Sequence, residues 1–456
     1  MTTTLDHASQ LAQEGLEFVM AHGLVRYRPE GGVGHLPFSL HPWQAPPGFY
    51  ARGLGISPLY NKLYHRVSRS REFLDDHLQA SRAVDEFVQG LYSCLPEQPI
   101  SRPWLYLSRH DFMPAQTPQG VVPKQVETNL MAASLGYASQ RVNAALRFLY
   151  ADTPLAPKLL AHRGGSTITR GLAMAYRRYA SPGQVIFFIV PSGEVNAFDQ
   201  RAMQAELVLD YGIPVMRTTL EQLGGEGQIV DGKVTLAGKT GVIAYFRAGY
   251  SPDHYLHPDA WKGRKLLEHS ETISIPSVTI QLANTKKVQQ VLADRQALQE
   301  FVDAPEAQAL LETMVILSSV DGPLHGKTAR QVALEHPDDW VLKPSREGGG
   351  NNYFGADMVE HLKQLSPQQA QAFVLMEAIK QEPFRGIRLV DEKVIDSLCV
   401  TELGYFTYAL FEDDDLVFED VEGYLLRTKD VNNHEGLVLG GYSYLDAAVV
   451  EEDTPK

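Results

Sequence analysis

The stretch that decides the fold begins at Val185-Ile-Phe-Phe-Ile-Val190 and continues through a helical pattern at 198–212 to Val242-Ile-Ala-Tyr-Phe-Arg-Ala-Gly-Tyr250. The run at 185–190 contains only β-branched and aromatic residues, which is typical of a buried strand. Strand-like and helix-like stretches then alternate, with Pro214-Val-Met-Arg-Thr-Thr219 as another strand, and this alternation predicts βαβ units in a parallel sheet. Ligands bind beyond the carboxyl ends of such strands, so Glu194, Asn196 and Arg247 are candidate site residues.

The sequence on either side of this stretch has a different pattern of predicted secondary structure. The first third is mostly helical, notably at 68–95, with shorter strand-like pieces such as Trp104–Met113, and an amphipathic surface helix is expected near the N-terminus. After Thr285 a helical stretch precedes further strands. We therefore expect a mostly helical part at 1–181, an α/β domain at 182–284 and a C-terminal part at 285–456.

Composition excludes several classes of protein. The 456 residues carry a net charge of −14, which argues against general nucleic-acid binding but leaves room for a small anionic ligand in a local basic cleft. The two cysteines, Cys94 and Cys399, exclude a disulfide scaffold and a cysteine zinc site, and both lie in apolar contexts that predict burial. No apolar run approaches a bilayer span and the N-terminus lacks a signal pattern, so a cytoplasmic location is expected and no membrane partner.

The strongest local motif is Lys343-Pro-Ser-Arg-Glu347-Gly-Gly-Gly-Asn-Asn352, whose lysine is the last residue of a predicted strand at 340–343. Glycines let a backbone fold over phosphates, Lys343 would neutralise their charge, Glu347 would hold Mg²⁺ and Asn352 would orient either. The alternative, a glycine-rich turn with solvated charges, is about equally well supported by the motif alone. A second glycine–lysine pattern at 232–240 has the wrong spacing for a phosphate-binding loop and alternates like a β-hairpin.

Two weaker patterns carry charge on strand faces. Glu127 and Asn129 share a face if 125–129 is a strand, and would offer a carboxylate and an amide oxygen to a hard cation. Arg427 and Lys429 likewise share a face and would hold a carboxylate or phosphate. Taken alone, each pattern is more often found on a solvent-exposed strand face that binds no ligand.

Together, nine blocks in order resemble the eukaryotic-type glutathione synthetase family of ATP-grasp ligases over nearly the whole chain. They are LSRHDFM, QVETNLMAASLG, FDQRAMQAEL, AYFRAGYSP, TIQLANTKKVQQ, VLKPSREGGGNN, LMEAI, TELGYF and LLRTK. The resemblance implies an α/β (α+β) fold, namely a permuted ATP-grasp fold with an inserted parallel-sheet substrate domain and a glycine-rich lid. It also implies a homodimer that ligates γ-glutamylcysteine to glycine with ATP and two Mg²⁺.

The resemblance further assigns residues to roles. Metal ligands would be Glu127, Asn129 and Glu347, and residues for catalysis would be Arg109, Lys343 and Arg427. Around the nucleotide it places Glu127, Lys286, Lys343, Glu347, Gly348, Gly349, Gly350, Asn351, Asn352, Phe354, Met376, Glu377, Ala378, Ile379, Glu402, Lys429 and Glu435. Around the peptide it places Arg109, Met131, Ala132, Ala133, Ser134, Glu194, Val195, Asn196, Gln200, Arg247, Ala248, Gly249, Tyr250, Arg427, Val438 and Leu439.

Several positions depart from the family pattern. The family's R-D-G-Y is Arg247-Ala248-Gly249-Tyr250 here, a usual tyrosine is Phe354, and an aspartate of the C-terminal loop is Glu435. Where glutathione synthetases have two alanines in that loop, this chain has Leu439-Gly440, and homoglutathione enzymes, which use β-alanine, have Leu-Pro. An acceptor other than glycine is therefore the first alternative, and a non-catalytic nucleotide-binding regulator is the second.

Overall fold

The structure is a computed structural model, which describes residues 5–28, 31–118, 120–345, 352–433 and 438–450. In these ranges the helices are α1 Leu5–Ala21, α2 Phe49–Arg69, α3 Arg71–Val84, α4 Glu86–Ser93, α5 Gly136–Leu149, α6 Gly164–Tyr179, α7 Ala197–Leu209, α8 Leu220–Glu226, α9 Pro258–Glu268, α10 Val278–Ala283, α11 Lys286–Leu292, α12 Arg295–Leu298, α13 Ala304–Thr313, α14 Ala329–Glu335 and α15 Gly355–Gln364. None of them is both long and apolar enough to cross a membrane.

The strands of the described ranges form several sheets. They are β1 Val25–Tyr27, β2 Val33–His35, β3 Phe38–Ser39, β4 Trp43–Gln44, β5 Trp104–Thr117, β6 Gly120–Asn129, β7 Val185–Ile189, β8 Val215–Thr218, β9 Gln228–Val230, β10 Lys233–Leu236, β11 Lys239–Phe246, β12 Ile273–Ile275, β13 Leu317–Ser319, β14 Pro323–Leu324, β15 Lys327–Thr328, β16 Trp340–Pro344, β17 Phe373–Glu377, β18 Phe384–Val390, β19 Lys393–Glu412, β20 Asp415–Asp430, β21 Tyr444–Leu445 and β22 Ala448–Val449.

A seven-stranded sheet joins the two ends of the chain. Its order is β18-β3-β21-β20-β19-β5-β6, so strands from the first third pair with strands from the last. The strand expected at Trp104–Met113 extends to Thr117, and it pairs along its length with β19 on one side and β6 on the other rather than being a short interruption. The prediction already included the polar and buried residues from Ser108 to Asp111. It stopped before Pro114, because proline is uncommon inside strands.

The α/β segment confirms the expected βαβ pattern. Strands β8, β7, β11 and β12 are parallel, and β7 is buried at every position. The glycine–lysine pattern at 232–240 lies in the antiparallel pair β10–β11, as the alternation predicted. Because β9 and β10 are antiparallel, the six-stranded sheet is mixed rather than wholly parallel.

A small antiparallel sheet, β13-β17-β16, presents the lysine strand. The helical stretch predicted at 68–95 is interrupted twice. The first break is at Ser70, whose hydroxyl caps α3 by accepting a bond from the backbone N–H of Phe73. The second is at Asp85, whose carboxylate caps α4 by accepting bonds from the backbone N–H groups of Phe87 and Val88. Both cysteines are buried, as predicted.

Candidate active site

A network of charged side chains lies on one face of the seven-stranded sheet. Register places Asp111 of β5 opposite Glu127 of β6 on one side and opposite Gly404 of β19 on the other. Arg109 and Asp111 are two residues apart on β5, so their side chains lie on the same face. The guanidinium of Arg109 donates two bonds to the carboxylate of Asp111, Nε to Oδ1 at 2.6 Å and Nη2 to Oδ2 at 2.7 Å.

Asp111 is the centre of this network. It is 1% exposed and also accepts bonds from the Asn129 amide at 2.9 Å and from Arg427 Nη2 at 3.2 Å. Arg427 in turn donates to Glu402, which is opposite it in the β19–β20 register. The network therefore fixes the directions of two arginine side chains that were expected to contact substrate.

Two lysines approach the network from the small sheet and α11. Lys286 Nζ is 2.7 Å from Glu127 Oε2, and its backbone N–H donates to the carbonyl of Ser345, directly after the lysine strand. Burial raises the pKa of Glu127, but Lys286, Lys343 and Arg427 outweigh it and leave the pKa below its usual range. Lys343 is itself buried and close enough to Glu127 to act on it.

Glu402 is in a different electrostatic environment. Burial and the nearby carboxylates of Asp111 and Glu127 raise its pKa, and this effect exceeds the lowering by Arg427. The two glutamates in this cluster thus have their pKa values moved in opposite directions.

A second cluster lies beyond the carboxyl ends of β7 and β11. Glu194 accepts bonds from the backbone N–H of Asn196 at 2.6 Å and from the Gln200 amide. Arg247 is buried and donates to the carbonyl of Ala133 at 2.8 Å. Tyr250 follows the turn at Gly249, whose φ of 92° favours glycine.

The segment Met131–Ser134 connects the two clusters. Arg109 donates to the carbonyl of Ser134 at 3.3 Å, and Arg247 donates to that of Ala133. Ala132 has a φ of 53°, which is unusual for a residue with a side chain and costs about 1–3 kcal/mol. Such a conformation at the junction of two charged clusters is typical of a binding loop.

The other predicted residues lie on several elements. Met376 is buried in β17, which ends at Glu377, and Ala378 and Ile379 follow that strand. Lys429 lies on β20, Val195 is exposed and Ala248 is buried. Val438 is buried, and the Leu439 carbonyl accepts a bond from Arg26 at 2.8 Å.

The predicted lid falls largely outside the described residues. Glu347, Gly348, Gly349, Gly350, Asn351 and Glu435 are in this group. Asn352 and Phe354 are described and line a cavity of 590 Å³ that Asn432 and Asn433 border on the other side. This cavity lies between the start of α15 and the segment that follows β20.

Sequence reasoning missed three residues of these clusters: Asp111, Asp199 and Arg217. Asp199 accepts bonds from the backbone N–H groups of Leu135, Tyr137 and Ala138 and so holds the start of α5. The i, i+2 spacing of Arg109 and Asp111 on a strand was a usable signal for Asp111. Arg217 is near the end of the strand predicted at 214–219, the kind of position that pointed to Arg247, whereas Asp199 has no comparable local signal.

Comparison with known proteins finds similarity over nearly the whole chain. A family model described as "Eukaryotic glutathione synthase, ATP binding domain" matches residues 5–450. The glutathione synthetase of Homo sapiens is 34% identical over 457 aligned positions, covering 96% of each chain, and that of Dictyostelium discoideum is 29% identical, covering 97% of this chain and 99% of the relative. The solved structure of a glutathione synthetase-like effector from Globodera pallida has a similar fold, with a TM-score of 0.79 at 17% identity over 99% of this chain and 98% of that one.

Proposed function

The chain belongs to the eukaryotic glutathione synthetase family, and we propose that it ligates γ-glutamylcysteine to glycine, splitting ATP to ADP and phosphate. The observation that carries the proposal is the buried network around Asp111, where Arg109 and Arg427 are fixed beside Lys286 and Glu127. Such a site matches the negative charge of both a carboxylate and a nucleotide.

The chemistry requires activation of a carboxylate, because oxide is a poor leaving group. Transfer of the γ-phosphoryl group of ATP to the cysteinyl carboxylate gives an acyl phosphate and ADP. The glycine amine then attacks the acyl carbon, and phosphate departs as the amide forms. Phosphoryl transfer needs in-line positioning and neutralised charge, which we assign to Lys343, Lys286, Arg427 and Arg109.

The residues present fit Mg²⁺. Glu127 and Asn129 supply a carboxylate and an amide, and because the Asn129 nitrogen is bound to Asp111, its oxygen is directed to another partner. Two Mg²⁺ held by Glu127, Asn129 and Glu347 would neutralise the phosphates of ATP. Phe354, Met376 to Ile379, Glu402 and Lys429 are proposed to surround the nucleotide.

The peptide is proposed to bind between the two charged clusters. Its reacting carboxylate would lie at Arg109 and Arg427, and its γ-glutamyl end at Glu194, Asn196, Gln200, Arg247 and Tyr250. The loop Met131–Ser134 supports this placement, since its carbonyls are held by an arginine from each cluster.

Family membership also supports a permuted ATP-grasp body, formed by 1–181 and 285–456, with an inserted substrate domain at 182–284. The glycine-rich lid at 347–352 would shield the acyl phosphate from water. A homodimer and a cytoplasmic location complete the proposal, and sedimentation and cell fractionation test them.

The acceptor is tested by Mg²⁺-dependent ADP release with γ-glutamylcysteine and glycine, β-alanine, serine or no acceptor, with products identified by mass. We expect glycine to be preferred. Preference for another amine would keep the ligase and favour the alternative that Leu439-Gly440 suggests. Folded protein that binds ATP but releases no ADP with any acceptor would contradict the proposal and favour a regulator.

A further inference from the structure

Arg217 on β8 is a half-buried cation next to the second cluster. Its Nη2 donates to Gln200 Oε1 at 2.9 Å, and this bond fixes the Gln200 amide so that its nitrogen donates to Glu194. Arg217 Nη1 is buried but has no hydrogen-bond partner among the described residues. A buried donor without a partner is costly, which indicates a site prepared for an acceptor.

Arg247 has the same feature. It is 4% exposed, and its Nε is likewise buried without a partner in the described ranges. Burial lowers the pKa of Arg217, and nearby Arg201 and Arg247 lower it further, whereas Glu194 raises it. The two guanidinium groups therefore lie close enough to interact. Arg217 is near the carboxyl end of β8 and Arg247 follows β11, and these two strands flank β7, whose end leads to Glu194.

We propose that Arg217 is a further substrate-binding residue, which holds the α-carboxylate of the γ-glutamyl group together with Arg247. This inference rests on the proposed function and extends it to the far end of the peptide. The peptide has two carboxylates, and the reacting one must lie at the lysines and Arg427. The other carries an ammonium group on the same carbon, and Glu194 beside two arginines matches that pair of opposite charges.

The decisive test pairs a protein change with a substrate change. Arg217→Ala and Arg217→Lys are assayed with γ-glutamylcysteine and with 4-aminobutyryl-cysteine, which lacks only the α-carboxylate. We expect Arg217→Ala to lower kcat/KM for γ-glutamylcysteine about tenfold or more, mainly through KM, with the KM of ATP unchanged. With 4-aminobutyryl-cysteine, Arg217→Ala should lose clearly less, only what release of the Gln200 amide causes, because this substrate has no α-carboxylate to hold. Arg217→Lys, which keeps the charge, should show a smaller loss with the same selectivity.

Arg201→Ala is the matched control, because Arg201 is an exposed neighbour that donates to Gln204. It removes the same charge and should leave both substrates unaffected. Equal losses on both substrates in Arg217→Ala, or no loss in either Arg217 variant, would overturn the assignment. If Arg217→Ala does not fold, the selectivity of Arg217→Lys decides. Failure of the unaltered protein to turn over γ-glutamylcysteine would instead refute the proposed function, and the assignment with it.

Discussion

Gly404→Ala should disable the charged network without removing any of its members. Gly404 is opposite Asp111 in the sheet, and a Cβ at this position would lie 2.0 Å from Asp111 Oδ1 and 2.8 Å from Arg109 Cδ. Ordinary contact begins at 3.4 Å, so the carboxylate would have to move by about 1.4 Å (3.4 − 2.0). A shift of that size breaks the 2.6 Å bond from Arg109 Nε.

The size of the effect follows from these contacts. Overpacking a core position costs about 1–3 kcal/mol, and separating a buried ion pair completely costs about 3–5 kcal/mol. Because the pair would be displaced rather than deleted, we expect a loss of about 2–5 kcal/mol in the free energy of unfolding. Misplacement of Arg109 and Arg427 by about 1 Å should reduce ADP release about 100-fold.

Urea unfolding and Mg²⁺-dependent ADP release with γ-glutamylcysteine measure the two effects. Gly55→Ala is the control, because Gly55 is exposed on α2 and a Cβ there meets no atom within 4 Å. This control should be neutral or stabilising by up to about 1 kcal/mol and fully active. Unchanged stability and turnover in Gly404→Ala would refute the view that the Asp111 network positions the arginines.

Three further predictions use other parts of the molecule. Glu127→Gln should lower the free energy of unfolding near neutral pH, because the folded protein lowers the pKa of Glu127 and so favours its charged form. The difference in free energy of unfolding between the variant and the unaltered protein should shrink as pH falls below 4.5, the ordinary pKa of a glutamate. Urea unfolding that gives a constant difference from pH 3 to 7 would contradict this. Burial raises the pKa of Cys94 to about 11, so iodoacetamide at pH 8 should label this thiol slowly in the native protein. Peptide mass spectrometry measures the labelling, and a rate as fast as in urea would show that the thiol is not protected. Leu439→Ala should change the glycine to β-alanine ratio of kcat/KM about tenfold; an unchanged ratio would remove Leu439 from the acceptor site.

Local sequence determined a large part of this protein. The strand at 185–190, the helix after it and the strand that carries Lys343 are confirmed, because each depends on a pattern within a few residues. Resemblance supplied the family and most candidate residues, although their roles stay predictions. The break of the 68–95 helix at Asp85 was missed, since a capping carboxylate can also continue a helix face.

Tertiary structure alone decided which charges meet. Arg427 and Asp111 are 316 residues apart, and strand order rather than any local pattern places them in one network. Burial of Arg109 and Asp111 was invisible in the sequence because each supplies the charge that makes burial of the other tolerable. The pairing of Arg217 with Gln200 was equally hidden, because Gln200 lies on a separate helix. The periodic spacing of apolar residues can be recognised within a short stretch of sequence. The pairing of buried charges depends instead on long-range contacts, which form only when the sheets assemble.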